Sequence, residues 1–278
     1  MRRKIKRLMA LLTAYGPRYV SSTIANDSLQ KIGLLDRLQL AKEKIRIDAQ
    51  KRFENEIAHG PFRGMKLSSS SWWGRYDCAS KLLGQYESHI LAEIVALSKT
   101  HDHFVDIGAA DGYYVVGCVK SGLYTSATAF EIVERGRDVT CENARLNAVD
   151  GRIDVRGEAD VAALAEIVEI QGPSVVLCDI EGGEFDLLND AMLDTLKNST
   201  VIVELHDGFI KVKDDCRDNL FKNAGKYFDI RPIERHGPKV NGFTELTDWS
   251  DDERMLAFSE SRPVMMDWIL LSPKARSV

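Results

Sequence analysis

No run of apolar residues in this 278-residue sequence approaches the roughly 20 needed to cross a bilayer. Cysteine is scarce as well. The five, Cys78, Cys118, Cys141, Cys178 and Cys216, are odd in number, widely spaced and without a C-x-x-C pair. That pattern argues against a disulfide framework or a zinc cage and for reduced, buried thiols in a cytoplasmic protein. There is no low-complexity tract, and a net charge of only −5 argues against a general nucleic-acid binder. Three common fingerprints are missing too. Gly108 and Gly112 stand as G-x-x-x-G rather than the G-x-G-x-x-G of nicotinamide and flavin sites. Neither G-x-x-x-x-G-K-[ST] nor G-x-S-x-G occurs, which removes P-loop NTPases and serine hydrolases.

What is present is unevenly distributed. Residues 1–63 carry 14 Lys/Arg against 6 Asp/Glu, while the rest carries 23 against 36. The first 16 residues, MRRKIKRLMALLTAYG, mimic a signal peptide but have a short apolar part and no small-x-small cleavage site. They read better as a basic amphipathic helix with Ile5, Leu8, Met9 and Leu12 on one face. Such a helix, residues 1–20, would lie on an anionic membrane surface or dock on this protein or its twin in a homodimer. Residues 29–58 read as a long helix that must stop at Gly60-Pro61. A helical, basic extension over 1–60 thus precedes a larger domain over 61–278. Beyond it, adjacent Trp72 and Trp73 follow a serine run, either as a substrate platform or as a plug over the core.

From Phe104 onward strands and helices alternate. Strand-like segments lie at Phe104–Ile107, Thr125–Phe130, Ile153–Val155, Ser174–Cys178, Thr200–Leu205, Tyr227–Ile233 and Met265–Leu271. Helical spacing appears at Ser88–Lys99, Val133–Asn147, Val161–Ile170, Phe185–Leu196 and Asp214–Lys226. Near-continuous Val/Ile/Leu in the strands indicates a mostly parallel seven-stranded sheet with helices on both faces.

In open α/β sheets ligands bind beyond the carboxyl ends of the strands. The first strand runs into the loop of FVDIGAADGYY, where glycines allow a turn and a close approach. Asp106 and Asp111 there suit a guest with a cationic or hydroxyl-rich face rather than a phosphate. Glu131 ends the second strand, 23 residues beyond Gly108, near the spacing at which an acid reaches a ribose diol. Glu158 follows the third strand, Asp179, Glu181 and Glu184 the fourth, and Glu204, His206 and Asp207 the fifth. The last two groups offer a general base in His206, or, with Asp179, Glu181, Glu204 and Asp207, ligands for a divalent cation. Alternatively His206 is a structural histidine satisfied by backbone or by Glu204.

These segments resemble the FkbM-type family of class I S-adenosylmethionine-dependent methyltransferases. VDIGAADGYY is similar to that family's D-I-G-A-N-x-G-Y loop, with Asp111 taken as standing where Asn is frequent. CDIEGGEFDLL is similar to its D-x-E-G-x-E-x-x-x-L segment and VIVELHD to its strand with an E-x-H ending. GPFRGMK and LLGQYE resemble the approach to the domain, so the likeness spans roughly residues 60–210. It implies a Rossmann-like fold and S-adenosylmethionine as cofactor. Asp106, Gly108, Ala109, Asp111 and Gly112 would border the methionine part and Glu131 would take the ribose. Glu158 would sit near adenine, Asp179 near the ammonium and the transferring methyl, and Tyr86 and Glu87 would close the pocket. His206 and Asp179 are then the catalytic candidates, and Trp72, Trp73, Glu181 and His206 face the acceptor. The implied reaction is O-methylation of a hydroxyl on a sugar, glycan or specialised metabolite. N-methylation and a non-catalytic binding module are the competing readings.

Overall fold

The computed structural model describes residues 34–70, 73–208, 215–260, 262 and 264–275. The amphipathic segment expected at residues 1–20, and Trp72, lie outside them. Seven strands form one sheet: β1 (His103–Ile107), β2 (Ser126–Phe130), β3 (Ile153–Arg156), β4 (Val175–Cys178), β5 (Thr200–Leu205), β6 (Phe228–Pro232) and β7 (Asp267–Pro273). Their order is β3-β2-β1-β4-β5-β7-β6, parallel except for β7, which runs antiparallel between β5 and β6. This is the Rossmann-like class I methyltransferase fold.

Period-two alternation feeds two cores from single strands. In β1, Phe104 packs with Val115, Val116 and Trp268 on one side of the sheet, whereas Val105 and Ile107 pack with Leu164, Met192 and Leu193 on the other. The covering helices are α3 (Ser88–Leu97), α4 (Tyr113–Lys120), α5 (Glu134–Leu146), α6 (Val161–Gln171) and α9 (Cys216–Ala224), with shorter α7 (Glu184–Leu187) and α8 (Asp190–Thr195). The ring of Phe62 presses onto α4 at Gly117, where a Cβ would come within 2.3 Å of it. A third cluster joins α1 (Leu34–Phe53), α2 (Cys78–Leu82) and α10 (Asp251–Ala257) through Ile45, Ala49, Leu82, Trp249 and Phe258. The described part of the N-terminal extension therefore packs on its own chain.

Two helices depart from the sequence reading. The long helix does not persist to Gly60-Pro61. It ends at Phe53, because Glu54 and Asn55 both take left-handed φ values (52° and 57°) and Glu56 then bridges Lys66. The helix expected over Phe185–Leu196 is two helices. Asn189 breaks it by turning its side chain onto the Met192 amide, capping the second piece. Two cysteines, Cys118 and Cys178, are buried and the other three half-buried, all of them free thiols. No described helix is long and apolar enough to cross a membrane.

Candidate active site

Register lines up the strand ends. Ile107 sits beside Phe130 and Cys178, Phe130 beside Arg156, and Cys178 beside Val203. The next residues in each strand, Gly108, Glu131, Gly157, Asp179 and Glu204, therefore stand along one rim. The three acids among them, Glu131, Asp179 and Glu204, come from three different strands, yet backbone pairing alone brings them together.

The glycine loop is built so that the chain can pass close to β4. Gly108 has a φ of 96°, and a Cβ there would lie 1.9 Å from the Asp179 carbonyl oxygen. Glu131 is buried and braced by amides. One carboxylate oxygen accepts from Ala110 N at 2.8 Å, the other from Val133 N at 2.7 Å. Counting along the loop places Ala110, rather than Asp111, at the Asn position of the resembled pattern. Ala110 holds a left-handed φ of 48°, a conformation Asn tolerates better than Ala. Asp111 is buried beside Tyr113, and its carbonyl accepts from Asn143 Nδ2 at 2.8 Å.

A cavity of about 620 Å³ opens over this rim. Gly108, Glu131, Glu158 and Asp179 line it, with Phe130, Ile132, Val133, Ala159 and Val161 as apolar walls. Asp106 does not line it. It is buried beneath, where burial and the charges of Asp179, Glu131 and Glu87 push its carboxyl well above the usual range.

A second cavity of about 310 Å³ holds His206, Glu204, Tyr86, Asp77, Glu260 and Arg262. It shares Trp73, Asp179 and Glu181 with the first. Trp73 is thus exposed at the junction, at neither the centre of the core nor a remote surface. The ring of Tyr86 meets Tyr113 edge-on at 5.5 Å. Glu87 is fully buried, accepts from Tyr114 Oη and pairs with Arg262.

His206 is 1 % exposed, and its two nitrogens face different surroundings. Nδ1 lies 3.2 Å from Glu184, which also accepts from the His206 backbone amide at 2.8 Å. Glu204, expected to be a possible satisfying partner, is instead 3.5 Å from Nε2, together with Asp179 at 3.5 Å and Glu181 at 3.6 Å. Glu181 reaches that position from a left-handed φ of 54°. Burial pulls the His206 pKa down, but the Glu184 hydrogen bond and the charges of Asp179, Glu184 and Glu181 outweigh it, and the net shift is upward. Ligand atoms of Asp179, Glu181 and His206 lie within 4.8 Å of one another, close enough for one divalent cation to bridge them. Asp207, which the sequence groups with them, turns away to Arg217 at 2.9 Å.

Sequence reasoning missed Arg262 and Glu260. Arg262 donates to Glu87, Glu204 and Glu260 at once. Even with Arg235 3.7 Å from Glu204, two guanidiniums do not neutralise these three carboxyls and Asp179. Burial therefore raises Glu87, with Arg262 opposing, and raises Glu204, with Asp179 and Glu87 reinforcing. The site carries more acid than base, and Asp179 Oδ1 is buried without a hydrogen-bond partner.

No family model and no curated protein matches the chain. Solved structures do. A "putative O-methyltransferase" from Klebsiella pneumoniae is similar over 91 % of this chain and 97 % of its own, at 14 % identity and a TM-score of 0.45. Cofactor-bound Rv0187 from MTB is similar over 65 % of this chain and 77 % of its own, at 13 % identity and a TM-score of 0.45.

Proposed function

We propose that this protein is an S-adenosylmethionine-dependent methyltransferase of the FkbM type that methylates a hydroxyl oxygen of a sugar, glycan or specialised metabolite. The observation that carries the reading is the pair of cavities meeting at Asp179, one suited to a nucleoside and one holding a buried histidine. The larger cavity fits the cofactor's parts. Each Glu131 oxygen spends one lone pair on a backbone amide and keeps another for a ribose hydroxyl. The walls of Phe130, Ile132, Val133 and Val161 suit an adenine face, with Glu158 at the rim for its amino group. The excess of acid, and an Asp179 oxygen that makes no hydrogen bond although it lies 3.5 Å from His206 Nε2, suit an ammonium and a sulfonium.

When bound, that cofactor supplies a methyl group already activated on sulfur, so alignment is the main task left to the protein. Trp73, Glu181 and His206 line the acceptor side of the junction, and Tyr86 closes the methionine end with Glu87 beneath it. Glu184 accepts the Nδ1 hydrogen of His206, which leaves the Nε2 lone pair for the acceptor hydroxyl proton. Three carboxyls within 3.6 Å of Nε2 then stabilise the imidazolium that forms.

The test is calorimetric titration with S-adenosylhomocysteine, followed by transfer of labelled methyl to fractions of the source extract. Binding should be tight in the native protein and lost in Glu131→Ala. His206→Ala should spare that binding and abolish transfer. Transfer surviving in His206→Ala points to N-methylation, whose nucleophile needs no strong base. Absence of nucleoside binding defeats the reading altogether.

A further inference from the structure

A third cavity, of about 370 Å³, is walled by α1, residues 67–69, α2, the loop residue Asp111, Tyr113 at the start of α4, and α5. It shares no lining residue with the nucleoside cavity and meets the His206 cavity at Gly74. Its charge is opposite to that of its neighbour. Arg46, Lys81 and Arg135 line it, against one carboxylate, Asp111.

Lys81 is the informative group. It is only 7 % exposed, a degree of burial that lysine rarely shows unless paired. Yet among the described residues its ammonium makes no hydrogen bond and no ion pair. Arg46, by contrast, is occupied by Glu43 at 2.6 Å and 3.0 Å. Two rings hold the Lys81 ammonium in place instead, Tyr86 at 4.8 Å and Tyr113 at 5.5 Å. Ring faces attract a cation but leave its three N–H donors unspent. The ammonium also stands beside the passage between the cavities, next to the Asp77 carboxyl, since a Cβ on Gly74 would lie 3.4 Å from Lys81 Nζ and 2.6 Å from Asp77 Oδ2.

We propose that the acceptor carries an anionic group, phosphoryl or carboxylate, which binds Lys81 beside Gly74 while its hydroxyl faces His206. This rests on the methyltransferase reading for the word acceptor, though the anion site itself does not. An anion has little place within the acidic His206 cavity, where Asp77, Asp179, Glu181, Glu204 and Glu260 would repel it. One step across Gly74 it meets an ammonium with unspent donors, and charge-assisted bonds there are the strong ones.

The experiment is titration of the full chain with inorganic phosphate and, separately, acetate, at constant ionic strength with chloride as control. One of the two should bind saturably, and which one does assigns the acceptor's group. Lys81→Met should weaken that binding about tenfold or more, the loss of one charge-assisted bond, and Lys81→Arg should retain it. Ser69→Glu, on the exposed wall of the cavity, should also weaken it and leaves the buried lysine untouched. Affinity for S-adenosylhomocysteine should stay the same in all three variants, with anion and nucleoside bound together. No saturable binding of either anion, or equal binding in Lys81→Met, overturns the proposal. So does a parallel loss of nucleoside affinity, which would assign Lys81 to the cofactor's own carboxylate. If the anion binds as expected and the nucleoside does not, the anion site stands and the methyltransferase reading falls.

Discussion

Glu184 holds His206 from two directions, through its backbone amide and through Nδ1, although 22 residues separate them. Both groups are buried, and the carboxylate also accepts from the Gly182 amide at 2.8 Å. A histidine fixed in this way has one nitrogen committed and the other presented to the cavity.

Replacing Glu184 with Gln keeps the shape and removes the charge. The pKa of His206 should fall, because Glu184 is among the influences that raise it. NMR titration of the imidazole would read this without any acceptor. In a methyl-transfer assay the acid limb of the pH–rate profile should shift to lower pH, and the rate should drop about tenfold or more as imidazolium stabilisation weakens. An unmoved titration would separate Glu184 from His206.

Arg262→Met should destabilise the fold by about 3–5 kcal/mol above neutral pH, where Glu87 is ionised, the usual cost of leaving a buried carboxylate without its partner. The loss should shrink on acidification, because protonated Glu87 no longer needs the guanidinium, while Glu204, pushed up to about 10, keeps its proton throughout. Denaturant melts of both proteins across pH would show this as converging curves. Parallel curves would mean that Arg262 acts through packing alone.

Stability of the ligand-free protein should fall as pH rises from about 6.5 to about 8. Glu87 and Glu204 are raised chiefly by burial, and His206 is raised by its carboxylate neighbours against burial. Each binds its proton more tightly folded than unfolded. Its stabilisation is therefore complete below the unfolded pKa and disappears as pH climbs through the folded one. His89 and His103, which burial pulls down to about 4, work in the opposite sense, but only below the unfolded histidine pKa near 6.5. Stability that is flat or rising over the upper window would contradict this charge assignment.

Much of the rim could be read from the sequence because a buried parallel strand is a continuous apolar run. The acid that ends it, Glu131 or Asp179, is then conspicuous. Arg262 carries no such mark. It is one cation in a polar stretch, placed against Glu87 by folding across a sequence separation of 175. The break at Asn189 was hidden because apolar spacing runs on through it, and only the side-chain cap reveals it. Glu54 likewise looks like any helix former until its φ is known. α10 was missed although its signal is present. Ser250 and Glu253 form a reciprocal capping box, S-x-x-E, at its start. Lys81 was passed over because a lone lysine on a short segment has no pattern to break.

The antiparallel insertion of β7 between β5 and β6 has a consequence for synthesis. While the ribosome is still short of Asp267, β5 has no partner on its far side, and β6 has no neighbour at all. The unpaired edge is the sequence TVIVEL, an exposed apolar strand of the kind that recruits other chains. Arg262 and the strand that covers this edge emerge within a few residues of each other. A nascent chain stalled just before them would present a sticky edge and an acidic cluster without Arg262 at the same moment. Chaperone dependence should therefore concentrate at that stage of elongation.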